Sequence, residues 1–390
     1  MISVSNASNV LKDYYLDAFN KQLNEDVSPF FNAISKTTEN VYGKDVKFAM
    51  IQNDLTGVSA LGEEDDLPGA RAQRYLMATV PLKNLYGTIE ISDKAVRASS
   101  DSTGAFIDLL NAEMEGLIRS AKANFARMLY GDGNGTIGTI TQKVDDDEIV
   151  VNNIKQFYVG MKVKVGSDTT ENTITAVDYD YNLITLAESY DDTKVAVGDK
   201  VQIVGATGNE LLGLAYIFDN STLYGNYKSQ NACLNPVIVH STLAALTEEK
   251  LIDVIDRLEE ANDEKINMIL CSHKVRKKIA SLMSASRRIV NSTDIAAGYS
   301  SIFINDVPVY ADKYCPDDRI YFVNTDDFAL CQLCDWSWIE DESGRVLKQI
   351  AGKAAYSATL VKYAELICKR PCNQGAIYID PGKTSSSDKK

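Results

Sequence analysis

The 390-residue sequence has no uninterrupted apolar run of about 18 residues, so no helical membrane span is expected. It holds two histidines, His240 and His273, and no Gly-x-Ser-x-Gly motif beside either. Nucleophilic and histidine-based acid–base chemistry therefore lack an obvious carrier. Basic residues are in deficit, 40 against 54 acidic, for a net charge of −14. That balance argues against a dedicated nucleic-acid-binding surface, which needs excess Lys and Arg, and favours solubility and low adhesion to polyanions. The seven cysteines, at 233, 271, 315, 331, 334, 368 and 372, are odd in number and scattered. Free thiols in an intracellular protein fit this better than a disulfide framework. Met1-Ile2-Ser3-Val4 leads straight into a polar stretch, without the profile of a signal peptide.

Several short motifs suggest ligands and fail on context. "YGDGNGTIG" at 130–138 contains Gly133-x-Gly135-x-x-Gly138, the spacing of a dinucleotide loop. Such a loop needs a strand before it and a helix after it, and here a helix precedes and strands follow. As a calcium loop it would want Gly at 137 and Glu at 143, where Ile137 and Lys143 stand. The remaining reading is a flexible hinge with no ligand. "GKTS" at 382–385 lacks the partner glycine, since Ile377 occupies that position. Cys331, Cys334, Cys368 and Cys372 form two close pairs and are the zinc candidates. Positions three apart on a strand face opposite sides, so the competing reading is four small buried side chains. No catalytic residue, cofactor or metal is expected. Paired acids such as Asp145–Asp147 and Asp191-Asp192 read as solvated turns.

Periodicity supplies the architecture. Val10, Leu11, Tyr14, Tyr15, Ala18, Phe19 and Leu23 share one helical face over 8–24, and "SPFF" at 28–31 is expected to break that helix. "DVKFAMI" at 45–51 and the run 75–92 read as two long strands, joined by a long polar connection at 52–74. A hairpin standing alone is marginal in water, so a neighbouring subunit is the natural partner for its flanks. The strongest helix is 104–130, with Ile107, Leu110, Met114, Leu117, Ile118, Ala121, Phe125, Met128 and Leu129 on one stripe, ended by Gly131. Short β-branched runs separated by Asp, Asn and Gly then fill 141–205, predicting a small barrel or sandwich. Helices are predicted at 247–261 and 272–286 and a buried strand at 266–271. Short strands follow, then long ones closing a sheet, then a polar tail.

The order of these elements, with "LYGTIEISDKAVRASSDSTGAFIDLLNAEMEGLIRSAKANFARMLYGDG" at 85–133, resembles the major capsid proteins of tailed bacteriophages. The stretch 266–330 resembles that family's axial domain, with Asn305-Asp306-Val307-Pro308-Val309 in its small turn and Asp306 where glycine is common. The resemblance implies an α+β chain of the Hong Kong 97-like capsid fold. Its parts would be an N-terminal arm over 1–35, an extended loop over 36–95, and a peripheral domain drawn from 96–140, 206–245 and 345–380 around a spine helix. An axial domain over 246–344 and a flexible tail over 381–390 complete it. The stretch 141–205 departs from the pattern and reads as an inserted all-β domain. The implied partners are many copies of the chain itself in hexamers and pentamers, portal and scaffolding proteins, a decoration protein, and packaged double-stranded DNA held without sequence specificity; no membrane is implied. The implied place is the virion, assembled in the host bacterial cytoplasm. Because the arm opens within the first ten residues, the expectation is a separate scaffolding protein or none. Two alternatives stay open on the sequence: an encapsulin-like nanocompartment of the same fold, and a cytosolic enzyme with an unrecognised site.

Overall fold

The computed structural model describes residues 28–53, 60, 62, 74–94, 103–261, 265–285, 302–342 and 346–380. The predicted helix at 8–24, most of the connection at 52–74, and the tail with its "GKTS" lie outside the described residues.

Helix α1, Pro29–Ala33, starts where the sequence reading expected a break. Proline lacks only an N–H that a first helical turn leaves unused, and Ser28 Oγ accepts from Phe31 N at 3.4 Å. The helix drives two aromatic rings into the core: Phe30 meets Phe328 edge-on at 5.2 Å, and Phe31 meets Phe125 at 5.1 Å. Strand β1 is Ser35–Thr37, β2 Val41–Tyr42, β3 Asp45–Asn53, β4 Arg74–Pro81 and β5 Lys83–Ser92. The predicted single strand over 75–92 is thus two. It parts after Pro81, which cannot donate to a ladder. β4 pairs antiparallel with β3, whereas β5 leaves for another sheet.

Helix α2, Thr103–Leu129, spans roughly 40 Å at about 1.5 Å per residue. Among its described side chains Met114, Ile118, Phe125, Ala126 and Leu129 are buried. That stripe explains why it lies against β5, where a Cβ added to Gly87 would come within 2.7 Å of Leu117. Its end tightens, with Tyr130 N donating to Arg127 O and Gly131 N to Met128 O. Strands β6 (Thr136–Asp145), β7 (Glu148–Val151), β8 (Lys162–Val165), β9 (Asn172–Asp178), β10 (Leu183–Leu186) and β11 (Lys200–Ile203) then close into a barrel in the order β10-β7-β6-β11-β8-β9. Its interior holds Ile137, Ile140, Ile149, Val163, Ile174, Ile184 and Val201, the inward half of each alternating run.

Helix α3 (Leu214–Asp219), strands β12 (Thr222–Leu223), β13 (Asn226–Tyr227) and β14 (Val237–Thr242), and helix α4 (Glu248–Ala261) follow. Then come β15 (Met268–Cys271), α5 (His273–Ala285), β16 (Ile302–Ile304), β17 (Val307–Ala311) and β18 (Arg319–Val323). The chain closes with β19 (Phe328–Trp338), β20 (Lys348–Gln349), β21 (Ala355–Cys368) and β22 (Gly375–Asp380). One sheet runs β1-β19-β21-β20, with β5 also on β21; it shares a core with α1, α2, α3 and the β3–β4 hairpin. The other runs β14-β22-β18-β15-β17-β16 and is covered by Leu251, Val254, Ile255 and Leu258 of α4 and by Val275 and Ile279 of α5. Thr247 and Ser272 cap these two helices. The turn between β16 and β17 puts both Asn305 (φ 48) and Asp306 (φ 68) in the left-handed region. A two-residue hairpin turn requires this, and it explains why glycine suits the position of Asp306.

Candidate assembly surfaces and the barrel junction

The glycine stretch at 130–138 becomes a built joint. Asp132 accepts from Asn134 N and Thr136 Oγ1 at 3.0 Å each and from Lys200 Nζ at 2.9 Å. Burial pushes its carboxyl up, but these donors outweigh burial and hold it below the usual carboxylate range. With both oxygens engaged, the carboxylate belongs to the turn. Gly133 and Gly135 have φ of 80° and 70°, and a Cβ on Gly135 would fall 2.4 Å from that of Ala206. The glycines therefore serve close packing against the returning chain. Gly208 N donates to Gly133 O at 3.1 Å and Ile203 N to Gly135 O at 3.0 Å, so the chain enters and leaves the barrel side by side.

Three side chains grip the return leg from below. Lys83 Nζ on β5 donates to Gly208 O at 2.6 Å. Arg127 on α2 makes a bidentate pair with Glu210, one arm at 2.9 Å, and both residues are under a tenth exposed. Glu365 on β21 is fully buried, and its Oε1 accepts from Leu212 N at 2.8 Å and Leu366 N at 3.0 Å. Its Oε2 has no partner among the described residues, and burial pushes its carboxyl up to about 8 against the pull of Leu212 N and Lys83. A flexible hinge was expected here; the structure shows a gripped junction. The reason is tertiary: the gripping side chains come from β5, α2 and β21. Sequence reasoning missed them, although a lysine and a glutamate inside the apolar run "VKYAELIC" (Lys362 and Glu365) are a visible signal. Lys362 is fully buried too, with Nζ 2.7 Å from Asp335 Oδ1 and near the rings of Phe125 and Trp336.

Several surfaces present apolar groups to solvent, among them one on the hairpin and one on the barrel. The β3–β4 hairpin buries Val46, Phe48, Met50, Ala78 and Val80 on one face, with Phe48 edge-on to Tyr224 at 5.3 Å. Its other face carries Tyr75 and Met77, 58% and 63% exposed, with Ala49 opposite Met77. At one end of the barrel Tyr158, Val159, Tyr179 and Tyr181 are exposed, and Tyr179 OH donates to Phe157 O at 3.3 Å.

The zinc candidates do not converge. Cys331 sits opposite Glu365 and Cys368 opposite Phe328, three rungs apart along one ladder, or about 10 Å. Cys334 lies beyond a bulge, opposite Tyr363, and Cys372 is in the turn Pro371–Asn373. Burial pushes the Cys331 thiol up to about 11. Among the described residues no group of three His, Cys, Asp or Glu side chains is arranged to hold a metal ion. His240 and His273 stand apart and exposed, His240 3.4 Å from Asp380.

Comparison with known proteins follows the fold. Residues 21–345 match the family described as SU10 major capsid protein. The cyanophage A-1(L) capsid asymmetric unit is similar with a TM-score of 0.57 and 13% identity, over 90% of this chain and 92% of that one. The capsid of a native GTA particle is similar with a TM-score of 0.52 and 12% identity, over 92% and 91%. At such identities the likeness is one of fold. No curated protein matches the chain in sequence.

Proposed function

The chain belongs to the SU10 major capsid protein family, and from that premise we propose how its parts build a tailed-phage head. The family match, across most of the chain, carries the reading and favours a phage head over a protein nanocompartment. In this reading the subunit is a structural protein without catalytic activity, assembling with many copies of itself into hexamers and pentamers. The β3–β4 hairpin acts as the extended loop, α2 as the spine of a peripheral domain, and the sheet beneath α4 and α5 as the axial domain. The barrel is an insertion standing on the end of the spine.

The exposed Tyr75–Met77 face supports the first assignment. A hairpin that buries one face in its own subunit and shows a tyrosine and a methionine on the other is suited to lie across a neighbour. Many such modest contacts, each costing order in the loops, sum to a stable closed shell through multivalency. The net charge of −14 suits a wall that encloses DNA without adhering to it. Portal and scaffolding proteins in the host cytoplasm complete the assembly in this reading, and a decoration protein would meet the barrel.

The test is expression of the full chain, size-exclusion chromatography and negative-stain imaging. Closed shells are expected, and Tyr75→Ser with Met77→Ser is expected to leave a folded subunit that no longer closes them. A wild-type chain that stays monomeric under all assembly conditions would overturn the proposal.

A further inference from the structure

None of the seven cysteines, all among the described residues, is in a disulfide. Cys271, Cys315, Cys331 and Cys368 are buried, whereas Cys233, Cys334 and Cys372 are partly open to solvent. Of these three, Cys233 and Cys372 lie side by side in the fold. The turn Ala232–Leu234 packs directly on the turn Pro371–Asn373. The turns are the lead-ins to β14 and β22, which run parallel with Val237 opposite Gly375. Val237 N also donates to Gln374 O at 2.9 Å. Cys233 is near enough to Cys372 to act on its thiol electrostatically. A disulfide spans Cα atoms roughly 4.4–6.8 Å apart, a separation that two turns in direct contact can reach. Burial, and then the adjacent Cys233, push the Cys372 thiol up to about 11. The Cys233 thiol is raised by burial as well.

We propose that Cys233 and Cys372 are a latent disulfide pair that closes when the protein meets an oxidising solution. In the closing reaction one thiol gives up its proton and its sulfur attacks a small-molecule disulfide, releasing one thiolate of that reagent. The second cysteine then attacks the mixed disulfide and releases the other. Two protein thiols are oxidised, one external disulfide becomes two thiols, and the two protons end on them. With both thiols raised, the thiolate fraction at neutral pH is small and closure is slow. A reducing cell supplies no net oxidant, so the pair stays open there.

The position gives the bond its use. The first turn seats the hairpin: it packs on β3, and Gln52 Nε2 donates to Asn231 Oδ1 at 3.3 Å. The second turn joins β21 of one sheet to β22 of the other. The bond would staple the hairpin's seat to the crossing between sheets and close a loop of about 140 residues, a length at which cross-linking removes much unfolded-state freedom. Its timing, after assembly and release from the cell, rests on the head-subunit reading; the site itself rests on geometry alone.

The experiment treats the purified full chain with oxidised glutathione at mildly alkaline pH, blocks the remaining thiols with N-ethylmaleimide and maps non-reduced peptides by mass spectrometry. A Cys233–Cys372 linked peptide is expected, about 2 Da below the sum of its parts because two hydrogens leave. The melting temperature should rise by roughly 5 °C and fall back on reduction. Cys372→Ser should abolish both the peptide and the rise. The proposal is overturned if both cysteines carry maleimide after exhaustive oxidation, if Cys372 stops at the glutathione adduct, or if either cysteine pairs elsewhere. Linkage in a chain that never forms shells would leave the site standing and remove the reading of its timing.

Discussion

Replacing Glu365 by glutamine should abolish a pH dependence built into the junction. Glu365 is fully buried, one oxygen bonded to Leu212 N and Leu366 N and the other unpartnered among the described residues. Lys83, Tyr216, Tyr224 and Cys331 face it from β5, α3, the turn after β12, and β19. Burial raises its carboxyl from 4.5 to about 8 in the fold. The sign follows from which form the fold prefers. Below pH about 4.5 the side chain is protonated in folded and unfolded chains alike, and its contribution is fully present. As pH rises from there toward 8 the unfolded chain sheds the proton while the folded chain keeps it, so stability falls; above about 8 it levels off. At 1.36 kcal/mol per pH unit the ceiling on this loss is about 5 kcal/mol. Glu365→Gln preserves shape and the Leu212 bond with no proton to lose. The assay is guanidinium unfolding of the unassembled subunit at pH 5, 6, 7 and 8. Fluorescence from Trp336 and Trp338, on the strand paired with β21, reports it. The free-energy gap between variant and wild type should widen by several kcal/mol from pH 5 to 8. Parallel curves would refute the reasoning.

Two further outcomes test the junction. Glu210→Ala leaves Arg127 charged and buried, and should cost about 3–5 kcal/mol in denaturant unfolding; Arg127→Met with Glu210→Met should recover most of it. Replacing residues 134–207 by a Gly-Ser link should leave a folded subunit with its helical circular dichroism, because Gly133 O and Gly208 N are already 3.1 Å apart; an insoluble product would show that the barrel is integral to the fold.

What was legible in the sequence was what repeats locally. The stripe from Met114 to Leu129 announced α2, and the β-branched runs between Asp, Asn and Gly announced a barrel or sandwich. Local patterns misled where a residue has two uses. Pro29 reads as a breaker but begins a helix, and the continuous β character of 75–92 hides the parting at Pro81. The grip on 208–212 was illegible because Lys83, Arg127 and Glu365 meet it only through strand pairing and helix packing. The cysteine pairs at 331–334 and 368–372 show the converse, since closeness in sequence did not bring them to one point: Cys331, Cys334 and Cys368 lie on separate rungs and Cys372 in the turn that follows. Cys233 and Cys372, far apart in the chain, are the pair that the fold brings together.

The strand order also sets a timetable for synthesis. The barrel is a contiguous stretch and can close while the ribosome is still adding the second half of the chain. Neither large sheet can. β21 lies between β19 and β5, and β22 between β14 and β18, so neither sheet is complete until residues 355–380 have emerged. Such late, long-range pairing is slow to form. A nascent chain that has not yet reached β21 therefore lacks the sheet against which α1, α2 and the hairpin pack, and such a subunit cannot enter a growing shell.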